Sequence, residues 1–183
     1  MNFIPTKLDG CYILEPKIIK DERGYFMESF NEITFQKGVD QGVHFVQDNQ
    51  SFSSKGVLRG LHYQTGKHAQ AKLVRVFEGE VLDVAVDIRP GSETFGQYEA
   101  VVLSGENQRQ LFIPRGFAHG FLVLSASATF FYKCDNFYNK ESEGGIIYND
   151  PTINIDWQLL SDDLLISEKD QALPTLENAK KAW

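Results

Sequence analysis

GVLRGLHYQTGKHAQAKLVRVFEGEVLDVAVDI, Gly56 to Ile88, decides the fold class and poses a chemical question. Its last segment alternates: Val81, Asp83, Ala85 and Asp87 fall on one side of a strand, and Leu82, Val84, Val86 and Ile88 on the other. Working outward, short runs of the same kind continue in both directions: CYILEPKIIKD, GYFMESF and HFVQDNQSFS before it, QYEAVVLS, QLFIPRG, HGFLVLS and ATFFYKCDNFY after it. Turn residues separate them, as in Asp-Glu-Arg-Gly, Ser-Lys-Gly, Arg-Pro-Gly-Ser and Ser-Gly-Glu-Asn. Many short strands without long intervening helices indicate an all-β sandwich or barrel. Helical patterns are peripheral: NEITFQKG early, SDDLLISEKD late, and the polar tail LENAKKAW.

The 183 residues suffice for one domain with a substantial core, and 42% apolar with 13% aromatic residues fits a globular protein. A formal net charge of -7 disfavours nonspecific attraction to nucleic acid or an anionic membrane, so an anionic ligand would need a local positive pocket. Cys11 and Cys134 are too few for a disulfide framework and lack metal-ligand spacing. MNFIPTKLDG does not read as a secretory leader, and no apolar run approaches the roughly 20 residues that span a bilayer. The expected location is the cytoplasm.

Within the opening stretch, Arg59, His62, His68, Lys72, Arg75, Glu78 and Glu80 interrupt strands bound for a core. Buried charge is costly unless paired, so such a cluster usually lines a polar cavity. Alternation puts His62 with Gly60 and Leu58. His44 reads as surface or capping and His68 as part of a solvated turn, while Glu78 to Glu80 read as another turn and Arg75 as an ion-pair partner. A histidine is the natural general base at neutral pH when a carboxylate orients it; Asp83, Asp87 and Asp170 qualify by type, and spacing does not choose among them. Tyr132 and Tyr138 are candidate acids or ordinary strand aromatics. Lys72, alternating with Val74 and Val76, points inward and needs an anion, while Arg59 and Arg23 carry planar forks suited to phosphate.

Pro114-Arg115-Gly116-Phe117-Ala118-His119 resembles half of a cupin signature. The other half, His-x-His, is here His62-Tyr63-Gln64, so the second histidine is Gln64 and a transition-metal site is short of ligands. The expectation is a cupin-type jelly-roll barrel or sandwich with a few short helices and no metal.

RGYFMESF, FVQDNQSFSSKGVLRGLHYQ, HAQAKLVRVFEGEVLDVAVDIRPGSETFGQY, LSGENQRQLFIPRGFAHGFLVLS, Tyr132-Lys133 and GGIIYNDP, with later INIDW and SEKD, closely resemble the dTDP-4-dehydrorhamnose 3,5-epimerase family in content and order. The resemblance implies one domain over residues 1–183, with a barrel core at about 43–140, N-terminal strands exchanged in a homodimer and a C-terminal helical extension. It implies a dTDP-4-keto-6-deoxy sugar substrate, no cofactor and no metal. By residue, it makes His62 the base, Asp170 its carboxylate, Tyr132 the acid on the opposite face and Lys72 the group near the C4 oxygen. Arg23, Phe26, Glu28, Gln47, Asn49, Arg59, His119, Tyr138 and Glu143 become substrate-binding positions, some reaching across the dimer. Trp157-Gln158 stands where the family commonly has Trp-Pro, and Cys134 where Thr is more usual; neither change is expected to reach the chemistry. The competing readings are a single-centre epimerase or 3,4-ketoisomerase, a nonenzymatic carbohydrate-binding cupin, and a metal-dependent cupin. Solvent exchange at each carbon separates the first two from double inversion, and metal analysis separates the third.

Overall fold

In the computed structural model, which describes residues 1–39, 42–159 and 163–183, two antiparallel sheets face each other. The first orders β1 (Asn2–Pro5), β2 (Tyr12–Glu15), β10 (Gln110–Ile113), β7 (Lys72–Glu78), β12 (Ser127–Cys134) and β5 (Gln47–Ser54). The second orders β13 (Glu143–Gly145), β6 (Val57–Gln64), β11 (Phe117–Val123), β8 (Glu80–Asp87) and β9 (Tyr98–Ser104), with β14 (Leu165–Ile166) running parallel to β6. β3 (Ile18–Asp21) and β4 (Gly24–Met27) form a separate hairpin. The chain crosses between sheets at β5 to β6, β6 to β7 and β7 to β8, as a jelly roll requires.

The alternation of β8 explains the layering. Val81 and Ala85 enter the inter-sheet core with Val74, Val76, Leu111, Phe121 and Phe130. Leu82, Val84, Val86 and Ile88 point the other way, yet are also buried, because Ile146, Ile153, Trp157 and Ala182 cover that outer face. Each fully buried side chain of this size contributes about 1.5–3 kcal/mol relative to exposure. On the first sheet, Phe35 and Val39 of α1 (Glu32–Val39) cover Leu14, Leu73 and Phe112.

Several sequence expectations need correction. Ser161 and Asp162 of SDDLLISEKD lie outside the described residues; of the rest, Asp163 is in a 3-10 turn, Leu165–Ile166 pair with β6 and Glu168–Gln171 (α2) are α-helical. LENAKKAW contains no helix; its Ala182 packs under the second sheet and its carbonyl accepts from Gly66 N–H. Arg75 has no carboxylate partner among the described residues, because Gln110 and Phe131 are its strand neighbours. It donates instead to Gln108 Oε1 at 2.7 Å and lies 5.0 Å from the Phe77 ring.

The most consequential correction concerns His62. β6 pairs with β11 through His119↔His62 and then Phe121↔Arg59, so the register slips between them. A strand bulge of this kind reverses which face the following side chains take. His62 therefore leaves the face of Leu58, which packs in the outer layer, and joins Arg59 on the cavity side. Gly60 makes the crossing possible: a Cβ there would lie 2.6 Å from the Cα of Gly120, at a φ of +123°.

Candidate active site

Charged and polar side chains from both sheets converge at one end of the sandwich around a cavity of about 480 Å³. His62 and His119 come from the second sheet; Lys72 and Tyr132 come from the first, across the interior. Stacked Phe121 and Phe130, with centroids 4.2 Å apart, form part of the lining. A second lobe of about 200 Å³ shares His62, Lys72 and Tyr132 and extends to Gln47, Asn49, Tyr138 and Glu143.

His62 Nε2 hydrogen-bonds Asp170 Oδ1 at 2.8 Å, leaving Nδ1 without a partner among the described residues. Asp170 is nearly inaccessible, and its position is fixed twice over. Its Oδ2 accepts from Gly60 N–H at 3.1 Å, and its own N–H donates to Ser167 Oγ, the N-cap of α2. Burial pushes the Asp170 carboxyl up, but the bonds from His62 and Gly60 outweigh it and hold it below the ordinary aspartate range. The bulge thus turns His62 inward while its glycine N–H orients the carboxylate. An ionised carboxylate here fixes the imidazole tautomer and can stabilise an imidazolium.

Asp83 belongs to the other histidine, accepting from His119 Nε2 at 2.9 Å through Oδ2, with both residues buried. Burial, ahead of the opposing Asp83 carboxylate, pulls the His119 pKa down and favours neutral imidazole. Asp87 serves structure alone: it accepts from Arg89, Ser92 and Thr94 at the loop after β8. Burial also lowers the Lys72 pKa and raises that of Tyr132, so the phenol keeps its proton, and the Lys72 amino group sits 6.0 Å from the Tyr132 ring.

Arg59 donates through Nε to the buried hydroxyl of Ser53 at 3.2 Å, which fixes its fork at the larger lobe. At the rim, Glu143 accepts from Lys169 at 2.7 Å and from Tyr138 at 3.3 Å. Burial raises the Glu143 carboxyl, but Lys169 more than compensates and keeps it below its usual range. Ser51, Ser53, Ser167 and Lys169 were missed from sequence. The first two could have been found by continuing the alternation Gln47, Asn49, Ser51, Ser53 along β5.

Arg23, Phe26 and Glu28 do not reach the cavity within one chain. Arg23 is exposed and paired with Asp21, Phe26 is 68% exposed, and Glu28 accepts from Asn31. His44 is exposed beside Glu32, and His68 ends a single 3-10 turn that lines neither lobe. Among the described residues, no three His, Cys, Asp or Glu side chains gather as a metal would require. No described helix is long and apolar enough to cross a membrane.

The two departures from the family pattern differ in consequence. Trp157 packs in the outer layer, and Gln158 adopts φ of +61°, which a proline ring cannot. Cys134, contrary to expectation, lines the smaller lobe, where its sulfur accepts from Asn49 Nδ2 at 3.7 Å.

Comparison with known proteins places this geometry. The family model for dTDP-4-dehydrorhamnose 3,5-epimerase matches residues 5–178. The dTDP-4-dehydrorhamnose 3,5-epimerase of Shigella flexneri is 57% identical over 170 residues, 93% of each chain. A crystal structure of dTDP-6-deoxy-D-glucose-3,5-epimerase from Legionella pneumophila Philadelphia 1, in complex with dTDP-4-keto-L-rhamnose, superposes with a TM-score of 0.93 at 55% identity, covering 97% of this chain and 93% of that one. A 3'-monoepimerase from Streptomyces bikiniensis, in complex with dTDP-quinovose, does so with a TM-score of 0.86 at 34% identity, covering 95% and 87%. By the extent of the family match and these identities, the chain belongs to the dTDP-4-dehydrorhamnose 3,5-epimerase family.

Proposed function

We propose that this protein inverts C3 and C5 of dTDP-4-dehydro-6-deoxy-D-glucose, giving dTDP-4-dehydro-L-rhamnose. One observation carries the mechanism: the His62–Asp170 pair and Tyr132 stand on opposing sheets of one cavity, with Lys72 also lining it. C3 and C5 both flank the C4 ketone, so the same carbonyl acidifies both hydrogens. His62 Nδ1 takes the proton from one face, and the C–H electron pair moves to the C4 oxygen as an enolate. Lys72, which lines both lobes across from His62, is assigned to stabilise that oxygen. The enolate collapses to the ketone as a proton is delivered to carbon from the other face, which inverts the centre. Tyr132 is the donor at C5 and solvent the donor at C3; solvent reprotonates Tyr132 and takes the proton from His62 between the two inversions. Arg59, bonded to the neutral Ser53 hydroxyl, provides positive charge for the diphosphate in a chain of net charge -7.

The same reading assigns Arg23, Phe26 and Glu28 to a partner subunit's cavity, in a homodimer that exchanges N-terminal strands. Supporting it, the hairpin exposes Tyr25 and Phe26, and the first sheet exposes Phe52 and Phe77. A cytoplasmic location follows from the proposed substrate.

A single-centre epimerase is the second reading, because the resemblance to the monoepimerase extends over nearly the whole chain. The test is a ketoreductase that accepts only the doubly inverted product. With it, the protein supports stoichiometric NADPH oxidation from dTDP-4-keto-6-deoxyglucose. Tyr132→Phe lowers that rate by about 10²–10³-fold while hydrogen exchange at C3 continues, as expected for loss of one general acid. Unchanged coupled turnover in Tyr132→Phe would remove the phenol from the mechanism.

A further inference from the structure

Gln64 occupies the position where the cupin signature carries its second histidine, and the scheme above gives it no task. Two residues beyond His62 on β6, it falls on the same, cavity-facing side. It is only 6% exposed, and it lines the smaller lobe. Its Oε1 accepts from the backbone N–H of Asn139 at 3.0 Å. A backbone N–H can only donate, so this bond fixes the amide orientation and sends Nε2 the other way. That nitrogen finds no acceptor among the described residues. Among the described residues the one enclosed side-chain nitrogen without a partner is Arg75 Nε, so Gln64 Nε2 still reaches the lobe, where water or a ligand oxygen can accept from it.

We infer that Gln64 is a ligand-contacting residue of the epimerase site, donating from Nε2 to a neutral carbonyl or hydroxyl oxygen of the bound sugar nucleotide while its Oε1 anchors the loop that carries Tyr138. The inference rests on the proposed function. Neutrality of the partner oxygen follows from the surroundings. Glu143 is the strand partner of Gln64 and also lines this lobe, so its carboxylate beside Gln64 disfavours a phosphate at that wall, while Lys72 lines the opposite one. Arg59, which has no carboxylate partner among the described residues, lines only the larger lobe. The anchored loop joins the contact to the rim: Asn139 follows Tyr138, and its side chain caps the 3-10 turn leading to Glu143.

Two substitutions separate the two halves of the amide. Gln64→Glu keeps an acceptor for Asn139 N–H but removes the donor, and Gln64→Met removes both. In the ketoreductase-coupled assay both raise KM for dTDP-4-keto-6-deoxyglucose roughly tenfold, about 1.4 kcal/mol, with kcat changed less than threefold. Amide exchange at Asn139 accelerates only in Gln64→Met. The KM increase of Gln64→Glu persists at high salt, which screens a pure charge effect. Wild-type KM in Gln64→Glu, or an increase abolished by salt, would overturn the contact and leave Gln64 as a loop anchor only. Inactive wild-type protein in the same assay would instead count against the proposed reaction.

Discussion

His62→Asn and His62→Ala are expected to fold normally and to lose epimerisation, with kcat down by about 10²–10⁴-fold, the range for removing a positioned general base. The side chain is one-third exposed at the cavity, so its loss leaves no large void. Its one bonded partner, Asp170, keeps the Gly60 N–H. Circular dichroism and thermal melting should therefore follow the wild type closely. Substrate-derived deuterium should be retained at both carbons in these variants. Near-normal turnover would mean that another group abstracts the proton, and His119 would be the next to test. It is the other histidine lining the cavity, already paired with Asp83.

Lys72→Met should cost about 10²–10³-fold in kcat, the usual penalty for losing a preorganised group at a developing oxyanion. Methionine approximates the length of the lysine stem, so the fold is preserved and the cation alone is removed. KM should change little, because the charge matters most when the enolate forms and less for the neutral ketone. Val74 and Val76, on the same side of β7, are fully buried, which places Lys72 at the mouth end of that row. A large rise in KM with kcat intact would reassign Lys72 to binding the diphosphate.

Much of this architecture was legible because β-strand alternation is a local property. The two faces of β8 were read correctly, although both proved buried, since the C-terminal segment that covers the outer face is distant in sequence. The phase of His62 was misread for a specific reason. Gly60 permits a bulge, and strict alternation across it assigns the wrong face. Pairing was illegible from spacing: Asp83, Asp87 and Asp170 were equivalent by type. Only the packing of α2 against β6 brings Asp170, 108 residues away, to His62. The resemblance supplied that partner, and the geometry supplies its physical basis in the Gly60 N–H and the Ser167 cap. Arg75 was misjudged because an inward charge was assumed to need an opposite one. A neutral amide and an aromatic face surround it instead. Lys169 was overlooked beside Asp170 because its role appears only once Glu143 is placed opposite it at the rim.

The central claim is that one base and one enolate-stabilising cation serve two carbons. Incubating the protein with dTDP-4-keto-6-deoxyglucose in deuterated water, and following each position by NMR and mass spectrometry, tests it most directly. The account predicts deuterium at both C3 and C5 with inverted configuration at both. Deuterium at one carbon alone, or at neither, would contradict it.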